Sequence, residues 1–194
     1  MRAARLCPGV RRIALLDSLA SAKAIPKDVD LLVTVEQAMD LTQLARAGRR
    51  LQGLAQAINL GADIFLADSA GRYLGRICHY RECHPRVACH AQHCGLRNHL
   101  NDDLHLVTLS KDLLASPPIE LWPKVIRRLT VPEDFEEILL TKLDEIGSGR
   151  RLREHVGPFL TFEINAKAAK HLGLNIPVSL LSAADDVIEK CCGA

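Results

Sequence analysis

Two groups of residues in this chain have the types and spacing to do chemistry. Asp28-Val29-Asp30 sits in the run Pro26-Lys27-Asp28-Val29-Asp30-Leu31-Leu32-Val33, two carboxylates one residue apart and directly ahead of apolar residues. In an extended strand such residues point to the same side, about 7 Å apart. Two acids so placed can share a hard divalent cation, and Mg²⁺ favours carboxylate oxygens together with substrate phosphates. The other reading of the same residues is a turn, with Asp30 solvated. A third acid, Asp63, stands among apolar residues in Gly61-Ala62-Asp63-Ile64-Phe65-Leu66-Ala67-Asp68. Asn101-Asp102-Asp103 reads as a turn, and its carboxylate pair is an alternative metal site.

The second group is Cys78, Cys83, Cys89 and Cys94, with His79, His84, His90 and His93 among them. Four of the seven cysteines and four of the eight histidines fall in this stretch. Thiolates and imidazoles are the preferred ligands of structural zinc, which is closed by four of them. The C-x4-C-x5-C-x4-C spacing belongs to no standard finger, but the segment has little apolar content to order it, and a metal would supply that order. We expect Cys78, Cys83, Cys89 and Cys94 to hold Zn²⁺, with His90 and His93 as alternatives. Arg76, Arg81, Arg86 and Arg97 in and around this loop could grip an RNA or DNA backbone, or the loop could be only a stabilised insertion.

Several elements must position these groups. Val10–Leu16 reads as a strand that runs into Asp17-Ser18, and a short helical segment from Leu19 to Ile25 leads to the Asp28 strand. Thr34 with Gln37 has the form of a capping box. Leu41, Leu44, Leu51, Leu54 and Ile58 then mark the buried stripe of a helix, with Arg46, Arg49 and Arg50 largely off it and Gly61 at its end. Asp68-Ser69-Ala70-Gly71 is a turn, Arg72–Ile77 a paired strand, and the alternation over Asp103–Leu109 a further strand. After the Pro117-Pro118 break, Glu120–Ile126 should pack Trp122 under the sheet. Thr130 and Glu133 open a helix with Phe135, Ile138, Leu139 and Leu143 on one face. Alternating strands and helices imply a mixed α/β sheet flanked by helices.

Composition sets the bounds. The chain has 194 residues, 48% hydrophobic and 25% charged, with a formal charge of only +2. That is enough chain for a sizeable core, and too balanced a charge to imply a strongly charged partner. No apolar run reaches the roughly 18 residues of a membrane span. Met1–Pro8 is basic without the apolar centre of a signal peptide. We therefore expect a cytoplasmic protein, without a membrane partner, whose cysteines stay reduced.

The order strand, Asp17-Ser18, short helix, Asp28-Val29-Asp30 resembles the nucleotidyltransferase superfamily of DNA polymerase beta and the minimal nucleotidyltransferases. Their motif is a hydrophobic strand, Gly-Ser or Gly-Gly, a spacer of about ten residues, and D-x-D or D-x-E. Ser18 stands ten residues before Asp28. The resemblance implies a nucleotidyltransferase-like fold and Mg²⁺-dependent transfer of a nucleotidyl group from a nucleoside triphosphate to an acceptor hydroxyl on a small molecule, RNA or protein. Asp28 and Asp30 would hold Mg²⁺, Asp63 would be the third acid, and Ser18 would bind phosphate. Asp17 departs from the motif, because it stands where the family has glycine and would bring a Cβ and a negative charge toward phosphate. The alternative is a catalytically inactive, zinc-braced relative that binds nucleic acid or protein in the manner of an antitoxin.

Gly147-Ser148-Gly149 marks a boundary. Residues 1–146 are expected to form the nucleotidyltransferase-like domain, with the Cys/His-rich loop at 78–99, and residues 147–194 a small C-terminal α/β appendage. Within the appendage, residues 159–189 resemble the C-terminal tail of ABC-transporter substrate-binding proteins, a likeness that includes none of their ligand-binding lobes. Leu180, Leu181, Ala184, Val187 and Ile188 give it an apolar face able to dock on its own domain or to form a homodimer.

Overall fold

The computed structural model describes residues 2–21, 25–78, 80, 97–147, 163–164 and 186–187. Its centre is β2, Asp28–Val35, in which every residue from Leu31 to Val35 is buried. A buried run of this kind, apolar but for Thr34, suits a strand paired on both edges and covered on both faces. β1 (Val10–Leu16) pairs with it antiparallel, and β3 (Gly61–Asp68) pairs with it parallel. Parallel neighbours need a crossover, which α3 (Thr42–Gln56) supplies. β4 (Tyr73–Ile77) and β5 (Leu100–Asn101) extend the sheet beyond β3, while β6 (Ile119–Trp122) and β7 (Ile126–Arg127) extend it beyond β1. The strand order is β5-β4-β3-β2-β1-β6-β7, a mixed seven-stranded sheet flanked by helices.

The shorter helices are α1 (Arg2–Arg5), α2 (Asp17–Ala20), α4 (Lys111–Ala115), α5 (Glu133–Phe135) and α6 (Thr141–Gly147). Alternation along the strands splits the core. One cluster joins Ile13, Leu15, Leu31, Val33, Ile64, Leu66 and Ile77 to Leu41, Leu44 and Ala45. The other joins Ala14, Leu16, Leu32, Ala67 and Leu114, with Phe65 and Tyr73 beside them. Asp30 and Asp63 share strand parity with this second, smaller cluster, so the acids continue an apolar face to its end. Among the described residues, no helix is long and apolar enough to cross a membrane.

Several local expectations are corrected. Thr34 does not cap α3: its strand is held extended by Val10 and Asp68 on either side of Val35. The helix starts at Thr42, whose N–H and hydroxyl both donate to Asp40 Oδ1, at 3.0 and 2.7 Å. Those bonds, from the backbone first, lower the Asp40 pKa. The helix ends at Gln56, not at Gly61, and Asn59 takes the left-handed conformation beyond it. Leu54 and Ile58 are exposed while Arg49 is buried, so the buried face is rotated from the leucine stripe.

Asp103–Leu109 is not a strand, because Asp103 turns its carboxylate inward and the N–H groups of Leu106 and Val107 donate back to its carbonyl. Thr130 caps no helix, since α5 starts after Pro132 without a side-chain cap. Beyond it a π turn at Glu136–Leu140 spaces Phe135 and Leu140 five residues apart on one face and leaves Ile138 and Leu139 exposed. Trp122 does pack against the larger core cluster, with the Arg5 guanidinium 5.8 Å from its ring centre.

Outside the described residues lie most of the 78–99 loop, including Cys83, Cys89, His90, His93 and Cys94, and most of the expected 147–194 appendage. Of that appendage, β8 (Glu163–Ile164) and β9 (Asp186–Val187) pair in parallel.

Candidate active site

β1 ends at Leu16, directly opposite Asp30 on β2. The chain then turns at Asp17, where φ is +46°. A left-handed residue with a Cβ costs about 1–2 kcal/mol, which aspartate tolerates better than most and glycine avoids altogether. Asp17 thus has a backbone of the kind glycine adopts most readily. Ser18 follows, buried, and its hydroxyl donates to the Asp28 carbonyl at 3.0 Å. That bond ties the turn to the start of β2 and commits the hydroxyl proton there.

Asp28 and Asp30 occupy the first and third positions of β2, ahead of the point where burial closes over the strand. In the parallel register Asp28 faces Gly61 and Asp30 faces Asp63. Gly61 lies against this carboxylate: a Cβ there would meet Asp28 Oδ1, the end of an exposed side chain that would have to turn aside. Asp28, Asp30, Asp63 and Asp17 therefore gather at one end of the three central strands. The Asp30 pKa is pushed up to about 6, by burial first and then by the charges of Asp63, Asp28 and Asp17, with Arg76 offsetting part of the effect. Crowded like charges of this kind mark a place where a proton or a cation is wanted.

Arg76 reaches into this group from β4. Its Nη1 donates to Asp63 Oδ2 at 3.1 Å and its Nε to Asp103 Oδ2 at 2.6 Å. Asp103 is fully buried, and its other oxygen accepts from the Tyr73 hydroxyl at 3.0 Å. Burial first, then the Asp103 charge, raises the Tyr73 pKa, so the phenol stays a donor. The face is completed by Phe65, whose ring centre lies 6.4 Å from that of Tyr73.

The expected acids are thus neighbours, and they are joined by Arg76, expected with the basic loop, and by Asp103, expected in a turn or as part of an alternative metal site. One signal was available: Arg76 is a charge inside the otherwise uncharged strand Tyr73–Ile77. Asp68 is a turn residue as expected. Its carboxylate accepts from the N–H groups of Ala70 and Arg72 and from Arg72 Nε, and the Arg72 backbone bond contributes most to lowering its pKa.

Oxygen-only donors at the mouth of a sheet suit Mg²⁺ in kind. Among the described residues, no three or more His, Cys, Asp or Glu side chains converge to hold a metal ion. Of the expected zinc ligands only Cys78 is described. It is half-buried, forms no disulfide, and its N–H donates to the His99 carbonyl at 2.8 Å. No protein-family model, curated protein or solved structure matches the chain.

Proposed function

We propose that the chain is a Mg²⁺-dependent nucleotidyltransferase that moves a nucleotidyl group from a nucleoside triphosphate to an acceptor hydroxyl. The observation that carries this reading is Asp30, in register with Asp63 and crowded by Asp28 and Asp17 at the open end of the sheet. The left-handed backbone of Asp17 adds to it, because it matches what the motif glycine would supply. Asp28 and Asp30 would hold the cation. When bound, Mg²⁺ neutralises phosphate charge and stabilises the oxygens of an in-line displacement.

Asp63 positions the acceptor hydroxyl and takes its proton as the acceptor oxygen bonds to the α-phosphorus. The bond from that phosphorus to the bridging oxygen breaks, and pyrophosphate leaves with the electron pair. Ser18, its proton given to the Asp28 carbonyl, serves by fixing the strand that carries the acids rather than by donating to phosphate. A structural Zn²⁺ on Cys78, Cys83, Cys89 and Cys94 remains part of the reading as a brace for the adjoining loop, and analysis of protein purified without chelator should find about one zinc per chain.

Incubation with α-labelled nucleoside triphosphates and a panel of small-molecule, RNA and protein acceptors tests the reaction. Label should pass to an acceptor with release of pyrophosphate, only with Mg²⁺, and not in Asp30→Asn. Transfer of a γ-label instead would make the protein a phosphotransferase and overturn the assignment. The inactive, nucleic-acid- or protein-binding alternative is favoured by Asp17, whose charge faces the same acids. It predicts no transfer of either label.

A further inference from the structure

We infer that a cavity at the far end of the sheet from the acids is a binding site for a small organic carboxylate, independent of the nucleotidyl-transfer reading. The cavity encloses about 360 Å³, bounded by the start of β1, the end of β2, the Asp68–Gly71 turn and the C-terminal end of α4. That volume is in the range of small-ligand pockets. Thr34, on its wall, shares a face of β2 with Asp30 but stands four residues further along, about 13 Å away. The two ends are separate sites.

Neighbouring residues on a strand point to opposite faces, yet Arg11 and Arg12 both line this cavity. The register explains it. Val10 faces Val35 and Arg12 faces Thr34, so Arg11 is the extra residue of a bulge, a device that re-aims side chains. Arg12 Nη1 donates to the Ala115 carbonyl at 3.2 Å and Nη2 donates to the Leu114 carbonyl, which holds the guanidinium against the end of α4. Both acceptors are neutral, so the charge is not cancelled. Thr34 shares the face of Leu32, where Leu114 packs, and its hydroxyl is turned toward the cavity. Thr34 is only 9% exposed. Among the described residues, neither Thr34 Oγ1 nor Arg12 Nε, both buried, has a hydrogen-bond partner. Buried donors left in that state are costly, and a ligand that meets both removes the cost.

The nearby acids are occupied elsewhere. Glu36 accepts from Arg11, and Asp68 accepts from the N–H groups of Ala70 and Arg72 and from Arg72 Nε. What remains is a fixed cation beside a hydroxyl, a donor set that takes an anion. The Gly71 N–H donates to the Asp68 carbonyl, so the N–H groups of Ala70, Gly71 and Arg72 are all spent within the turn and form no nest for a phosphate. A planar carboxylate matches the guanidinium, and Leu114 offers apolar surface to a short aliphatic tail.

The experiment titrates butanoate into the isotope-labelled full chain and follows backbone amide shifts by NMR, with butanamide and inorganic phosphate as controls. Butanoate should give saturable shifts at Thr34, Ser69, Ala70 and Ala115. Butanamide, which has the shape without the charge, and phosphate should give none there. Thr34→Val keeps the shape and removes an unmet hydroxyl, so it should melt no lower than wild type while binding butanoate about tenfold more weakly. Arg12→Lys keeps the charge without the planar fork and should not saturate. Absence of saturable shifts with butanoate, an equal response to butanamide, binding of phosphate in its place, or unaltered affinity in Thr34→Val would each overturn the inference. None of these outcomes touches the transferase reading, which label transfer tests on its own.

Discussion

Asp30 and Asp103 flank the same arginine and have opposite fates. Asp103 has no exposed surface, yet Arg76 and the Tyr73 hydroxyl meet its two oxygens. Asp30 is more open, but the charges around it are mostly of its own sign, and its pKa rises to about 6. Burial alone therefore does not make a carboxylate reactive. A buried acid with a cation and a hydroxyl on its oxygens is structure, and a half-buried acid among acids is poised for a ligand.

The contrast can be broken first at Asp103. Asp103→Ala leaves Arg76 without its nearer partner, and we expect a loss of about 3 kcal/mol in urea denaturation. Arg76→Gln/Asp103→Asn, which removes both charges, should cost less than half of that. A single variant no worse than the pair would mean that the buried contact is not an anchor.

Gly61→Ala sharpens the other side. The added Cβ meets Asp28 Oδ1, so the Asp28 carboxylate must move or β3 must shift. Asp28 is exposed, so turning its carboxylate aside should cost no more than about 0.5 kcal/mol, while Mg²⁺ binding should weaken. Unchanged Mg²⁺ affinity would show that Asp28 is not held for a ligand.

The pH dependence of the metal-free protein reads Asp30 directly. Its folded pKa is raised above the unfolded carboxylate value of about 4, so folding favours the protonated form. The resulting stabilisation is full below about pH 4 and is lost as pH rises through about 6. Asp30→Asn should remove that fall, leaving the variant more stable than wild type at pH 7 and level with it near pH 4. Parallel stability curves would contradict the crowding. Mg²⁺ affinity of the wild type should decline below pH 6, where the proton competes.

The smallest effect on stability belongs to Asp17→Gly. Relief of the left-handed backbone, about 1 kcal/mol, is offset by the greater freedom of an unfolded glycine, so melting should move by no more than about 2 °C. Nucleotide binding should strengthen if the aspartate faces the phosphates, and unaltered binding would mean that it points away.

Much of this arrangement is legible in the residues. The run from Leu31 to Val35, apolar but for Thr34, announces a central strand, and the acids at its head fall where side chains remain accessible. Asp63 could be picked out as a lone acid in apolar company, and the parallel register then sets it against Asp30. The Tyr73–Arg76–Asp103 contact was not legible, because it joins residues 27 and 30 apart by side-chain reach and leaves no periodic mark. Alternation misled at Leu104 and Leu106, which are exposed on a turn rather than paired in a strand. Helical spacing misled at Leu54 and again at Ile138, where a π turn shifts the phase by one residue.

The most direct test is calorimetric titration of wild type and Asp30→Asn with a nucleoside triphosphate, each with and without Mg²⁺. Wild type should bind only with Mg²⁺, and Asp30→Asn, folded and at least as stable at pH 7, should not bind under either condition. Equal binding by the two proteins, or binding by wild type that ignores Mg²⁺, would contradict the assignment of Asp28 and Asp30 as the cation's seat.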